Sequence, residues 1–247
     1  MIQNKNIYYI DADKIPRYMQ IKYDLQQYLA QHQWQFDVPI PSEQELATKY
    51  DASVGTIRKA VECLVEEGVL IKHQGKGTFL KHPAFVESSI VRFYLRNAKE
   101  GKPETPIGEV KCVKLVKASP KINELLGEPL DKELIYIERI RSVDNKVIVS
   151  DKIWLSQERF SDLLTVKLDQ FENLLYPYYF KKCGQLVVSA KEQMSILLNH
   201  SDTYLTDGQE KVVIKVCRSA KGLDGRIIEY RESYGLAEDF YYETIIT

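Results

Sequence analysis

Cysteine is scarce and scattered in this 247-residue chain: Cys63, Cys112, Cys183 and Cys217 stand far apart, with no CxxC pair and no histidine at ligand spacing. That pattern speaks against a disulfide framework or a structural metal site and reads as four reduced thiols. No apolar run reaches membrane-spanning length, so no membrane partner is expected. The first fourteen residues are polar and mixed in charge, which is not a signal peptide, and a cytoplasmic location follows as an expectation. Excess charge is missing too: 34 basic residues face 35 acidic ones, for a net charge of −1. Bulk attraction to nucleic acid is therefore weak. No nucleophile–base pair, metal set or phosphate-cradling glycine loop stands out, so neither a cofactor nor catalysis is expected. What remains is the composition of a soluble globular protein, long enough for one large domain or two ordinary ones.

The local distribution of charge is more telling than its sum. Between Gly68 and His82 stand Lys72, His73, Lys76, Lys81 and His82 without a single acid. Upstream, Tyr18, Ile21, Leu25, Tyr28 and Leu29 recur at helical steps over Pro16 to Gln33. Ser42 stands three residues before Glu45, a capping-box signature that opens a short helix. Tyr50-Asp51-Ala52 makes a turn, and Ser53 caps a further helix whose inward stripe is Ile57, Ala60, Val61, Leu64 and Val65. Gly68 stops that helix. Val69 to Lys72 and Thr78 to Leu80 then read as two strands about Gln74-Gly75-Lys76-Gly77. Helix, turn, helix and glycine-tipped hairpin in this order make a winged helix-turn-helix, a double-stranded DNA-binding module.

With the apolar stripe inward, Val54, Gly55, Thr56, Arg58 and Lys59 face outward on the third helix. Arg58 suits a two-bond grip on guanine, and Thr56 suits a thymine methyl or a phosphate. Ser53 combines its hydroxyl with free backbone N–H groups at the helix start, where a phosphate fits. Lys76 on the wing reaches toward a neighbouring groove or backbone.

Pro41 to Ala47, Ser53 to Ala60, Glu67-Gly68 and Gly75 to Phe79 resemble the DNA-binding domain of GntR-family bacterial regulators. The resemblance implies a dimer on a palindromic operator, with Ser42, Gln44, Ser53, Val54, Gly55, Thr56, Arg58, Lys59, Gln74, Gly75 and Lys76 at the DNA. The family usually has arginine at the positions of Gln44 and Val54, so Arg58 is left as the base-reading arginine.

Beyond Pro83 the pattern changes to strands with short helices between: strands at 109–117, 134–143, 146–155, 185–198, 211–221 and 226–236, and helices at 119–127 and 173–182. A mostly antiparallel sheet with helices on one side follows, so the chain is α+β. In Ile135 to Arg141 the period of two puts Arg139 and Arg141 on the face of Ile135 and Ile137. Two guanidinium groups beside apolar residues call for an anion, either a bound ligand or an internal partner among Glu138, Glu229 and Asp151.

Glu138 to Ser142, Asn173 to Tyr176 and Asp224 to Tyr230 are similar to the UTRA effector-binding domain of the HutC-type branch of the GntR family. The similarity implies a chorismate-lyase-like fold and a pocket for an anionic metabolite, best matched by a phosphorylated sugar or amino sugar. Arg139 and Arg141 would hold the anionic group, and Tyr176, Glu229 and Tyr234 the rest of the ligand. Leu174 and Gly235 depart from the family's usual serine and tyrosine. The expected organisation is a winged helix-turn-helix over 1–82, a linker over 83–89 and an effector-binding and dimerisation domain over 90–247. The expected function is a homodimeric, effector-controlled transcriptional repressor. An effector-independent DNA-binding dimer is the first alternative and a lyase-like enzyme the second.

Overall fold

The computed structural model describes residues 15–31, 34–82, 93–95, 106–117 and 119–242. The chain divides into two compact units, Met1–Lys81 and His82–Thr247.

In the first unit α1 (Arg17–Gln31), α2 (Glu43–Tyr50) and α3 (Val54–Glu66) are followed by the hairpin of β1 (Leu70–His73) and β2 (Gly77–Leu80). The local chemistry sets these boundaries. Ser42 accepts from Glu45 N at 3.3 Å while Glu45 Oε2 accepts from Ser42 N at 2.7 Å, so two orphan donors of α2 are satisfied reciprocally. Ser53 caps α3 by accepting from Thr56 N at 3.2 Å. Gly68, just past α3, has φ 73°, a left-handed conformation that a side chain would disfavour. Ile21, Leu25, Leu29, Leu46, Ile57, Ala60, Val61, Leu64 and Leu80 are buried and form the core under this surface. The expected stripe is therefore present, except that Val65 is only half-buried.

The second unit is built on a six-stranded antiparallel sheet in the order β4-β5-β6-β9-β8-β7. Its strands are β4 (Ile107–Lys117), β5 (Glu133–Val143), β6 (Lys146–Ser156), β7 (Val187–His200), β8 (Lys211–Gly222) and β9 (Ile227–Leu236). β5 and β6 turn at Asp144 and Asn145, both at positive φ, the residues a tight hairpin prefers. A small separate pair joins β3 (Phe93–Leu95) to β10 (Phe240–Tyr242). α4 (Pro120–Leu126) ends at Gly127 in left-handed conformation and packs on β9 and β6. α5 (Gln157–Phe160) and α6 (Leu175–Cys183) cover the sheet with Phe160, Leu175, Tyr176 and Tyr179, against Ile135, Ile137, Ile153 and Leu155. Pro177 lies within the first turn of α6, where its missing N–H is harmless. Another part of the sheet carries the ring row Tyr136, Trp154 and Tyr230, at centroid spacings of 5.4 and 5.8 Å. The whole of the expected linker, 83–89, lies outside the described residues.

Candidate nucleic-acid interface and effector site

On the first unit the outward residues of α3 and the wing tip stand as the sequence implies. Ser53, Val54, Gly55, Arg58, Lys59, Gln74, Gly75 and Lys76 are exposed, as are Ser42 and Gln44, with Thr56 half-buried. Ser53 Oγ and Thr56 Oγ1 lie 2.8 Å apart, so two hydroxyls sit together beside the first backbone N–H groups of α3, where the helix end favours an anion. The Lys59 ammonium rests 4.3 Å from the centre of the Tyr18 ring, which holds it on the α1 side. Arg58 is not loose either: its Nε donates to Glu43 Oε2 at 3.0 Å. Val54, 37 % exposed, presents a methyl surface at the head of the helix and no donor.

On the second unit the sheet face under α6 carries a buried polar cluster. Arg139 lies on β5 opposite Asp151 on β6, which lies opposite Ser233 on β9. Asp151, fully buried, accepts from Arg141 Nη2 at 3.0 Å and from Ser233 Oγ at 2.5 Å, with Arg139 Nη1 at 3.9 Å. Burial alone would raise its pKa, but Arg141, Arg231 and Arg139 outweigh burial and hold it down at about 2. Arg139 also donates to the backbone oxygen of Asn173, whose side-chain oxygen accepts from Gly108 N at 2.6 Å. A Cβ at Gly108 would collide with the Arg139 guanidinium, so the strand passes close only because that residue is glycine. The internal partner left open by the alternation of β5 is thus Asp151. Glu138 projects from the other face, and Glu229 accepts from Arg231 instead.

Glu229 is fully buried and accepts from Tyr176 Oη at 2.9 Å, Tyr179 Oη at 3.0 Å and Arg231 Nη2 at 2.9 Å. Burial, reinforced by Glu229, pushes the hydroxyls of Tyr176 and Tyr179 well above the usual tyrosine range, despite the opposing pull of Arg231. Arg218 Nη1 donates to Tyr176 Oη at 3.1 Å, and its Nε donates to Glu192 at 2.9 Å. Burial works against the Arg231 cation, but Glu229 and its neighbours keep it firmly protonated. Two buried guanidinium N–H groups, Arg141 Nε and Arg231 Nε, have no hydrogen-bond acceptor among the described residues.

One expected ligand contact does not belong to this cluster. Tyr234 has the opposite parity to Glu229, Arg231 and Ser233 on β9, so it projects from the other side of the sheet. There its ring stacks on His200 at 4.2 Å and its hydroxyl donates to Glu232 at 2.6 Å. Arg218, Arg231 and Tyr179 were not anticipated from the sequence. The alternation that paired Arg139 with Arg141 pairs Arg231 with Glu229 in the same way, so that signal was present for Arg231. For Arg218 and Tyr179 only the packing reveals the contact.

Comparisons with known proteins bear on both units. The family model "Bacterial regulatory proteins, gntR family" matches residues 17–80, and the UTRA domain model matches residues 104–241. An Escherichia coli (strain K12) protein named "Probable fructoselysine utilization operon transcriptional repressor" is 30% identical over 173 residues, covering 68% of each chain. The E. coli "Mannosyl-D-glycerate transport/metabolism system repressor MngR" is 24% identical over 236 residues, 93% of this chain and 95% of that one. Among solved structures, the ligand-binding domain of a GntR-family regulator from Bordetella bronchiseptica superposes with TM-score 0.56 at 19% identity, covering 63% of this chain and 96% of that one. Among the described residues no helix is long and apolar enough to cross a membrane. The winged helix-turn-helix with its exposed third helix, and the antiparallel sheet with its buried arginines, are the two halves of one regulator: the chain belongs to the GntR family, carries a UTRA domain, and is a DNA-binding transcriptional regulator rather than an enzyme.

Proposed function

We propose that this chain is a cytoplasmic, homodimeric HutC-type repressor of a palindromic operator, released from DNA by an anionic metabolite of the sugar-phosphate or amino-sugar-phosphate class. The observation that carries the effector class is charge balance. Among the described residues Arg139, Arg141, Arg218 and Arg231 share one sheet face with two fully buried carboxylates, Asp151 and Glu229, and with the more exposed Glu192 that pairs with Arg218, so four cations face three anions, and Arg141 and Arg231 each keep a buried N–H without an acceptor. A phosphate monoester supplies charge and acceptor oxygens together, which a neutral sugar does not. Two relatives named as repressors of fructoselysine and mannosyl-D-glycerate systems support a carbohydrate-derived ligand. Met194, Ile196 and Leu198 on the outermost strand are 52, 61 and 72% exposed, a surface suited to a second copy.

In this reading Arg139 and Arg141 meet the phosphate, while Tyr176, Tyr179 and Glu229 form the buried bed beneath the ligand. Each DNA-binding unit places α3 in one half-site, about one helical turn or a multiple of it from the next. The effector favours an arrangement of the two heads that no longer fits that spacing, with about 1–3 kcal/mol of coupling. The segment 83–89 is the proposed transmitter.

A thermal-shift screen of the full chain against sugar phosphates, amino-sugar phosphates and their unphosphorylated parents tests the ligand class. Stabilisation and operator release by a phosphorylated compound alone is expected, and both should vanish in the Arg139→Ala, Arg141→Ala variant while operator binding persists. Equal response to a phosphorylated and an unphosphorylated sugar would overturn the phosphate assignment. The pairing of both arginines with Asp151 favours one competing reading, an effector-independent dimer. That reading predicts no response to any compound in the panel.

A further inference from the structure

The DNA-facing surface holds an acidic residue that the reading scheme above does not use. Glu43 is the first residue of α2, directly after the capping Ser42. One carboxylate oxygen accepts from Arg58 Nε at 3.0 Å, and the other lies 3.9 Å from Lys72 Nζ on β1. A single carboxylate therefore ties α2 to the outward face of α3 and to the wing strand. Placed where phosphates approach, it opposes their attraction. The pair is too exposed to matter much for stability, with side-chain exposures of 57% for Arg58 and 28% for Glu43. Its consequence lies in the geometry of the guanidinium. The bond takes up Nε–H and leaves the terminal groups Nη1 and Nη2 for a partner. Guanine offers O6 and N7 side by side, and the two Nη groups of an arginine match them in one plane.

We propose that Glu43 is the positioning residue for base reading by Arg58: it holds the guanidinium so that Nη1 and Nη2, end-on, meet one guanine, and it discourages capture of Arg58 by the phosphate backbone. The proposal rests on the assignment of Arg58 as the base reader. It gives α2 a part in specificity even though Gln44 stands where the family usually has an arginine. An unpositioned arginine samples many rotamers and settles on whichever phosphate is nearest, so its discrimination falls while its affinity for arbitrary DNA rises.

The test uses the full-length protein and duplexes that the wild type selects from a randomised pool, with binding followed by fluorescence anisotropy. In the selected site, the guanine whose replacement by adenine matters in wild type but not in Arg58→Ala is the base assigned to Arg58. Wild type is expected to lose roughly ten-fold in affinity on that replacement, and a large part of this when the guanine is replaced by 7-deazaguanine. Glu43→Gln is expected to keep the wild-type melting temperature and bind a scrambled duplex at least as tightly as wild type. It should lose most of the discrimination at that one position, and add nothing in an Arg58→Ala background. A merely structural role would lower affinity for all duplexes alike. If Glu43→Gln discriminates as wild type does, the positioning role is refuted and the Arg58 assignment stands. If Arg58→Ala keeps every guanine preference, the Arg58 assignment falls, and with it the proposal. If Glu43→Gln changes preference at a position that Arg58→Ala leaves untouched, Glu43 reads a base itself and the proposal is overturned.

Discussion

In the DNA-binding unit the residues proposed to face the duplex, Arg58, Lys59, Lys76 and Ser53, lie exposed over an apolar core, whereas in the UTRA domain Arg139, Arg218, Arg231, Asp151 and Glu229 are at most 3% exposed. The contrast follows from the partners. A duplex brings its own dense charge and a hydrated surface, so cations waiting in water meet it at little cost to folding. A small ligand must find its charges desolvated and held in place, so they need internal counter-charges while they wait. Asp151 and Glu229 are those counter-charges. Loss of a functional side chain should therefore cost little stability in the first region and much more in the second.

The largest expected effect comes from breaking that rule where it is tightest. Glu229→Ala removes the acceptor shared by Tyr176, Tyr179 and Arg231 and leaves a buried guanidinium without its carboxylate. A loss of about 3–5 kcal/mol in the stability of the UTRA domain is expected by urea denaturation, where Arg58→Ala on the DNA-binding unit should stay within about 0.5 kcal/mol. Equal losses for the two variants would dissolve the contrast.

Acid provides a graded version of the same comparison. The Asp151 carboxyl falls from its ordinary 3.8 to about 2 in the folded chain, against burial, because Arg141, Arg231 and Arg139 favour its charged form. A depressed folded pKa contributes stability that is complete above pH 3.8 and is lost as pH falls through 2. That contribution is about 2 kcal/mol. An Asp151→Asn variant should therefore be less stable than wild type near neutral pH, and the difference should shrink between pH 3.8 and 2. A difference that stays constant through that window would remove Asp151 as the counter-charge.

The same contrast explains what could be read in advance. The capping pair Ser42 and Glu45, the cap at Ser53, the stop at Gly68 and the turn at Asp144-Asn145 are local, so neighbouring residue types suffice to place them. The shared face of Arg139 and Arg141 needs only the period of a strand. What the arginines meet depends on register and sheet order: a bulge between Arg141 and Ser142 shifts the β5–β6 pairing by one residue and so puts Asp151 opposite Arg139, and β9 lies between β6 and β8, and alternation along one strand reveals neither. Asp151 therefore stayed one of three options, and Arg218 and Tyr179 stayed unseen. Tyr234 shows the opposite failure. Its parity on β9 puts it with His200 on the other face, away from the ligand role the resemblance implied.

The smallest effect concerns a local feature of the exposed unit. Ser53 accepts from Thr56 N at 3.2 Å at the start of α3 and shares a 2.8 Å contact with the Thr56 hydroxyl. Ser53→Ala removes an N-cap, which costs about 1 kcal/mol, while Ser53→Gly costs only a few tenths because water reaches the freed N–H groups. Both variants lose the hydroxyl proposed to meet phosphate. If that contact operates, both should weaken binding to every duplex by a similar factor and leave sequence preference unchanged, since phosphate contacts carry no sequence information. Stability and DNA affinity should thus separate: glycine restores the first and not the second. Recovery of both in Ser53→Gly would make Ser53 a cap alone, and the exposed hydroxyl at the head of α3 would then serve the fold rather than the DNA.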